Sequence, residues 1–527
     1  MKFEDLVVNH LGEFGLYQKV QFLLVCLPAM FTAMHALSWT FTAAHSDYRC
    51  LAPGENSQTA VWKATDQASC FHPYPLNNTK CEQFVYDRRQ IHNSALQRWD
   101  IVCDQAILKA IIQSAYYVGQ MLGSIVFGYL GDKIGRKKVF FIAIITLIIA
   151  GLCMSIAPHW SVFMFLRAAT GFAHPGIFVI AVVIGVELVG PKKRKIASVF
   201  TGIFFSIGQI ILGVVAFLVR DYQYLQLAIA APALAFISYW WLIPESARWL
   251  VSQQRYQEAD KVLRRAARWN KSSLPDRWWE EIDESASAET TKKNLVAQPK
   301  IQKRSYGFLD LLRTPRMRKI SLSIFVCWPI VSMVYYGVSM NTTFLGGDPY
   351  YTFVLGALME IPAVLAVFFL VDVIGRKALL AGGFTIASLA LISSLFIDGE
   401  KYKALAIAQF LIAKSSITGT YATIYTFTPE LFPTVIRNTA MGICSMMARL
   451  GAILASYIAM WLVDVFGKVA MVVPFSICGL IAAVVIIFLL PETKGRNLTE
   501  TIEELEGSAQ QFELQPLTTQ QGTNKAD

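Results

Sequence analysis

Two short polar signatures recur in this chain at a fixed distance, Asp132-Lys133-Ile134-Gly135-Arg136-Lys137 and Asp372-Val373-Ile374-Gly375-Arg376-Lys377. They stand 240 residues apart, and each follows directly on a long apolar stretch. Two further pairs keep nearly that offset. Glu187…Arg194 returns as Glu430…Arg437 with the same seven-residue spacing, and Pro244-Glu245-Ser246 returns as Pro491-Glu492-Thr493. Independent matches at one period mean a duplicated half, running parallel rather than inverted.

Composition says what fills each half. Of 527 residues 54% are hydrophobic and 16% charged, and the mean hydropathy is +0.44. A soluble globular protein carries about 25% charged residues, so most of this chain does not face water and an ordinary soluble enzyme is excluded. The net charge of +10 does not point to nucleic acid. The basic clusters sit at the ends of apolar segments, where they set membrane orientation. The acidic start, Met1-Lys2-Phe3-Glu4-Asp5, precedes a first apolar run that begins at Phe22, so no cleavable signal peptide is expected.

A bilayer-spanning helix needs about 20 apolar residues. On that measure twelve spans are expected, near 21–43, 106–131, 139–158, 161–187, 196–218, 225–243, 320–340, 351–371, 378–397, 404–428, 439–463 and 469–490. The expected organisation is a six-helix half over 1–243 that includes the loop 44–104, an inter-half region over 244–319, a second six-helix half over 320–490, and a mostly disordered tail over 491–527. Within the inter-half region, 258–265 has the pattern of an amphipathic helix lying on the membrane face, and 282–303 reads as linker.

Short loops rich in Lys and Arg stay cytosolic. Lys133, Arg136, Lys137 and Lys138 cap one loop, Lys192 to Lys195 another, and Arg376 with Lys377 a third. Both termini are then cytosolic and 44–104 is external. That loop holds Cys50, Cys70, Cys81 and Cys103 together with the sequon at Asn77, as an oxidising, glycosylated compartment requires. Two disulfides are expected, with three connectivities open. A zinc site is the weaker alternative, because no CxxC pair is present. Sequons at Asn270 and Asn497 fall on the cytosolic side, and Asn341 hugs the end of a span.

No catalytic constellation is found. Gly185-x4-Gly190 lacks the lysine of a phosphate loop, since Pro191 stands in its place, and GxSxG and HExxH are absent. The ionisable residues inside the spans carry the information instead, because each costs at least about 2.5–3.5 kcal/mol at mid-bilayer unless paired or facing water. They are Arg167, Glu187, Glu360, Lys414 and Arg449. At 1.5 Å per helical residue, Glu360, twelve residues from Asp372, and Arg449, twelve from Arg437, each lie roughly 18 Å deep, near the midplane. They could pair with each other or bind the two ends of a zwitterion. Glu187 lies beside the basic cluster at 192–194 and suits a gating network, whereas Lys414 can either contact substrate or snorkel outwards. Tyr116, Tyr117, Phe178, Phe205, Trp328, Tyr335 and Tyr336 crowd similar depths and could cage a quaternary ammonium or simply pack.

The run Gly128-Tyr129-Leu130-Gly131-Asp132-Lys133-Ile134-Gly135-Arg136-Lys137-Lys138 resembles the loop 2–3 motif of the major facilitator superfamily. Gly12-Glu13-Phe14-Gly15-x-Tyr17-Gln18, Pro244-Glu245-Ser246-x-Arg248-Trp249-Leu250 and Glu430-Leu431-Phe432-Pro433-Thr434-x-x-Arg437-Asn438 narrow the resemblance to its organic cation, anion and carnitine transporter family, over about 10–500. An acidic residue in the eighth span, in Glu360-Ile361-Pro362, with Arg449 in the eleventh is similar to the carnitine/ergothioneine-type zwitterion and cation branch. Lys414 and Thr418-x-x-Tyr421…Tyr425 resemble that branch too. Pro175 and Gly202 depart from the usual family residues.

The resemblance implies an all-α membrane protein of twelve helices in two bundles, a transporter and not an enzyme. It implies a plasma-membrane carrier of small organic zwitterions or cations working by alternating access, with an organic anion exchanger or a non-transporting sensor as alternatives. Expected substrate contacts are Glu360, Arg449, Trp328, Tyr335, Phe178, Tyr117, Phe205, Lys414 and Tyr425. Expected gating residues are Asp132, Arg136, Glu187, Arg194, Asp372, Arg376, Glu430 and Arg437. No cofactor or metal is expected, and coupling to sodium or protons stays open. The expected partners are a small organic substrate and the lipid bilayer, for a monomer or weak homo-oligomer.

Overall fold

The computed structural model describes residues 3–52, 54–55, 60–63, 69–71, 79–190, 193–280, 308–341, 348–397, 401–495, 499–502 and 504–506. Asn77, Asn497, the stretch read as linker and the tail beyond 507 lie outside them.

Apolar runs become helices because backbone removed from water must satisfy its own N–H and C=O groups. The long helices are α1 (Leu16–Leu37), α2 (Ile107–Ile134), α3 (Arg136–Ser155), α4 (Trp160–Leu188) and α5 (Arg194–Leu218). α6 (Tyr222–Ala230) continues through a 3-10 stretch that carries Pro232 near its start, where a missing N–H prevents an α-helical bond. Two shorter helices follow, α7 (Ala247–Ser252) and α8 (Tyr256–Asn270). The chain then forms α9 (Pro315–Met340), α10 (Pro349–Ile374), α11 (Arg376–Ser393), α12 (Lys403–Leu431), α13 (Arg437–Tyr457) and α14 (Val469–Leu489). Among the described residues, eleven helices are long and apolar enough to cross a membrane. The twelfth expected span, α12, has 29 residues, about 43 Å of helix. It falls outside that group because Lys414 and a series of serines, threonines and tyrosines dilute its apolar character.

Contacts divide the chain into two units. The first comprises 1–297, 337–361 and 456–470, so it takes in pieces of the second sequence half. Within it α2 and α4 approach so closely that a Cβ on Gly171 would strike the Tyr116 backbone, the small-residue contact typical of helices in lipid. Arg167 of α4 is fully buried. It donates to the His35 and Ala36 carbonyls, to Ser38 Oγ and to Gln113 Oε1, over 2.5–3.4 Å. Its charge is therefore spent on the carbonyl end of α1, where the helix dipole is negative. Tyr350 stacks on Phe41 at 5.2 Å, and Lys109 pairs with Asp464 at 3.1 Å.

The loop before α2 is built on β1 (Tyr48–Cys50) paired antiparallel with β2 (Phe84–Tyr86). Disulfides Cys50–Cys81 and Cys70–Cys103 select one of the three connectivities. Closing loops of 31 and 33 residues restricts the unfolded chain by roughly 3–4 kcal/mol each. Tyr86 donates to Asp100 at 2.8 Å, and the Tyr86 phenol is pushed well up by burial and by that carboxylate.

α8 has the amphipathic pattern expected, but its apolar face is covered by protein. Ala259, Leu263, Ala266 and Ala267 pack with Leu6, Val7, Leu11, Trp249 and Trp278. Asn270 locks its end, donating to Leu11 O and Gln18 Oε1 and accepting from Tyr17 N.

The second unit comprises 298–336, 362–455 and 471–527. There a Cβ on Gly451 of α13 would strike the Pro329 backbone of α9. The N-terminus of α9 is closed by Glu506, which accepts from Arg316 N at 3.0 Å.

Candidate functional site

The three repeated motifs meet at one place in each unit. In the first, Arg136 pairs with Asp132 at 3.0 Å and with Glu187 at 3.3 Å, and donates to Gly131 O. Glu245 accepts from the backbone N–H groups of Arg136 and Lys137 at 2.9 and 3.1 Å, so it caps α3 from 109 residues away. In the second, Arg376 pairs with Asp372 at 2.9 Å and Glu430 at 3.0 Å, and Glu492 caps α11 through Arg376 N and Lys377 N. Thr493 adds a bond to Glu430 at 2.5 Å. A carboxylate on a helix N-terminus meets both unsatisfied donors and the positive end of the dipole.

Glycine makes this possible. Gly135 (φ 106°, ψ 155°) and Gly375 (φ 101°, ψ 156°) occupy a backbone region essentially closed to other residues, and a Cβ on either would meet the capping glutamate.

Glu187 and Glu430 are each paired with the arginine of the repeated loop, Arg136 and Arg376. Arg437 donates to Phe432 O at 3.3 Å. Arg194 is the first residue of α5, and its side chain lies outside the described set. Glu492 shows the electrostatic consequence. Burial raises its carboxyl, but four backbone N–H bonds outweigh that and hold it below its ordinary value near 4.5. The native group thus binds its proton less tightly than the unfolded one. Its contribution to stability is complete above pH about 4.5 and is lost as pH falls through the native value. In detergent, the acid limb of the unfolding temperature should be shallower for Glu492→Gln than for the parent chain; identical limbs would remove Glu492 from that role.

Deeper in the first unit, Glu360 is 2% exposed and accepts from Ser206 Oγ and Gln209 Nε2, both at 2.8 Å. Those donors are three residues apart on α5, on one face. The same helix carries Phe205 into an aromatic group. Phe178 and Phe205 lie 5.6 Å apart between ring centroids, and both face His174, at 5.8 and 6.1 Å. Tyr116 bonds His174 Nδ1 at 2.8 Å, and Tyr117, which accepts from Gln113, meets the Tyr116 ring edge-on. Of the expected contacts, Tyr117, Phe178, Phe205 and Glu360 are thus placed in this unit, whereas His174, Ser206 and Gln209 were not read from the sequence. Polar residues at i, i+3 within an apolar span are the signal that could have found the last two.

In the second unit Arg449 is 5% exposed. It donates to the Tyr421 hydroxyl, with Tyr425 and Tyr336 beside it, and its Nε has no hydrogen-bond partner. No carboxylate pairs with it among the described residues. Trp328 is closed at one edge by a bond to Thr428 at 3.0 Å and meets Tyr425 at 4.7 Å. Lys414 Nζ sits 4.0 Å over the Tyr335 ring, which packs on Tyr421 at 5.3 Å. Lys414 is buried, so it does not snorkel, while Tyr425 stays 39% exposed. Tyr421 lies four residues before Tyr425 and joins the two halves of this cluster, a role its helical spacing announces.

Chemically, the first cluster offers a carboxylate beside π faces and the second a guanidinium ringed by phenols. The first suits an organic cation, the second an anion with planar geometry such as a carboxylate. Gln209→Leu should remove a donor from Glu360 and weaken binding of a small organic cation to the purified chain about 10-fold; unchanged binding would mean that this bond serves packing only.

Over residues 60–505 the chain matches the family described as sugar (and other) transporter. It is 36% identical to the organic cation transporter protein of Drosophila melanogaster, across 99% of this chain and 98% of that one. It is 32% identical to solute carrier family 22 member 7 of Rattus norvegicus, across 97% of this chain and 100% of that one. Among solved structures, the xylose transporter XylE from E. coli in its inward-open conformation aligns with a TM-score of 0.62 at 16% identity, covering 93% of this chain and 100% of that one. That likeness shows the fold, the all-helical major facilitator architecture that the resemblance of the motifs implies.

Proposed function

The chain belongs to the organic cation transporter family, solute carrier family 22, within the sugar transporter superfamily, and from that membership we propose that it moves small organic zwitterions or cations across the plasma membrane by alternating access. The observation that carries the zwitterion assignment is Arg449. A buried guanidinium with phenols beside it, and with no carboxylate paired to it among the described residues, is costly in a membrane unless an anion completes it. A substrate carboxylate would do so. Glu360 and the aromatic group of the first unit answer to an ammonium, as in carnitine-like compounds. In the same reading both termini lie in the cytosol, which the basic short loops support, and the two motif clusters serve as pins that a conformational cycle must loosen.

The buried arginine also favours a second reading, organic anion exchange, and Glu360 discriminates between the two. Uptake of labelled carnitine, ergothioneine, tetraethylammonium and an aromatic anion, with and without sodium, tests the assignment directly. Glu360→Gln should reduce tetraethylammonium uptake about 10-fold or more and leave the aromatic anion less affected. Uptake of the anion alone would replace the proposal by the exchanger, and uptake of none would favour a sensor.

A further inference from the structure

Next to the Arg136 cluster of the first unit lies a cavity. Its walls come from the N-terminal segment, the start of α1, the end of α4, the turn before α7 and one face of α8. It holds about 550 Å³ of empty space, part of it continuous with solvent, within the size range of small-molecule pockets. The lining is largely apolar, with Leu11, Ile184 and Leu263 among it.

Three polar side chains interrupt that lining. Tyr17 and Gln21 stand four residues apart on one face of α1 and are 2% and 3% exposed. Tyr17 Oη and Gln21 Oε1 have no hydrogen-bond partner among the described residues. Glu187 meets Arg136 through Oε1 at 3.3 Å, while its Oε2 is buried and has no partner among them either. A buried acceptor left unmatched bears its full desolvation cost, and a ligand that supplies the donors recovers it.

The chemistry of this set selects the ligand. Gln21 Oε1 and Glu187 Oε2 can only accept, whereas Tyr17 Oη can do either. One centre on an apolar body must then bring at least two N–H or O–H donors. A primary ammonium has three, and its charge strengthens the bond to a carboxylate. A hydroxyl has one and a quaternary ammonium none. That requirement separates this cavity from the π faces of Phe178 and Phe205, which suit an organic cation with or without N–H groups. Glu187 also lies 13 residues from His174 along α4, about 20 Å away.

We propose that this cavity is a second, regulatory site for a small amphipathic primary ammonium compound, which donates to Gln21 Oε1 and Glu187 Oε2 and lays its apolar body against α4 and α8. Glu187 holds Arg136 as well, so an ammonium on Oε2 draws on the same carboxylate and weakens that pin. The binding stands apart from the transport reading above; only its effect on rate rests on that reading.

The probe is 2-phenylethylammonium, titrated by calorimetry into the purified full chain in detergent in the presence of saturating N,N,N-trimethyl analogue. The parent chain should bind one further equivalent of the primary amine. Gln21→Leu should weaken that equivalent about 10-fold, and Val262→Trp, which fills the cavity from α8, should abolish it. 2-Phenylethanol, of the same shape without the charge, should bind at least about 10-fold more weakly to the parent. No further equivalent, parental affinity in either variant, or equal affinity for the alcohol would overturn the site. The comparison of amine, trimethyl analogue and alcohol is made on the parent chain, so it decides the matter even where a variant does not fold. In proteoliposomes, the amine should raise the maximal rate of tetraethylammonium uptake about 2-fold, and Gln21→Leu should remove that rise. Binding without a change of rate would overturn the regulatory role. A chain that binds the amine but carries no cation would sink the transport reading and leave the site standing.

Discussion

Arg449→Ala should lower uptake of carboxylated substrates by at least about 100-fold while sparing tetraethylammonium to within a few-fold. Truncating one member of a desolvated charge pair costs about 2–5 kcal/mol, and among the described residues no carboxylate pairs with Arg449 to share that loss. Arg449→Lys keeps the charge but not the planar fork that reaches Tyr421 and a carboxylate together, so it should recover only part of the rate. Substrate panels at matched surface expression read the result. Equal loss of carboxylated and simple cationic substrates would reassign Arg449 to packing.

The second large effect is on stability. Gly375→Ala should lower the unfolding temperature in detergent by about 5–10 °C, the effect expected of about 2–4 kcal/mol in a unit of this size. Two terms combine. Alanine is strained by about 1–3 kcal/mol at the observed φ of 101°, and its Cβ displaces the Glu492 carboxylate from the α11 N-terminus, worth roughly 1 kcal/mol as a cap. Gly135→Ala should behave likewise through Glu245. Gly382→Ala, also on α11 but with nothing within 4 Å of its Cβ, is the control and should be neutral or slightly stabilising. If Gly375→Ala unfolds with the control, the cap contributes nothing to stability.

How far the site was legible depended on whether the information was periodic. Glu360 and Arg449 were readable because an ionisable residue in an apolar span is conspicuous and its depth follows from counting along a helix. Lys414 was readable as buried or snorkelling but not as which, since the Tyr335 face that receives it comes from a different helix. His174 was passed over for a similar reason. It is a single mildly polar residue among aromatics; Phe178 lies one turn on along the same helix, but only the approach of α2 and α5 brings Tyr116 and Phe205 to it. The amphipathic pattern of α8 announced an apolar stripe without saying what would cover it, and the covering turned out to be the N-terminal segment together with Trp249 and Trp278.

By itself the sequence determined the all-helical membrane class, the duplicated half and the presence of two loop disulfides, because each is written in local composition, in period, or in residue counts, while the family came from the resemblance of its short motifs to known ones. Tertiary structure alone decided who partners whom. It selected Cys50–Cys81 and Cys70–Cys103. It gave Glu187 and Glu430 to Arg136 and Arg376, and it showed the Pro-Glu-Ser and Pro-Glu-Thr repeats to be remote caps on α3 and α11. Such pairings join residues 30 to more than 100 positions apart. A helix carries its 3.6-residue period in the chain, but the choice of neighbour across a helix–helix contact is made by packing, where glycine clearance and satisfaction of buried donors count for more than sequence distance.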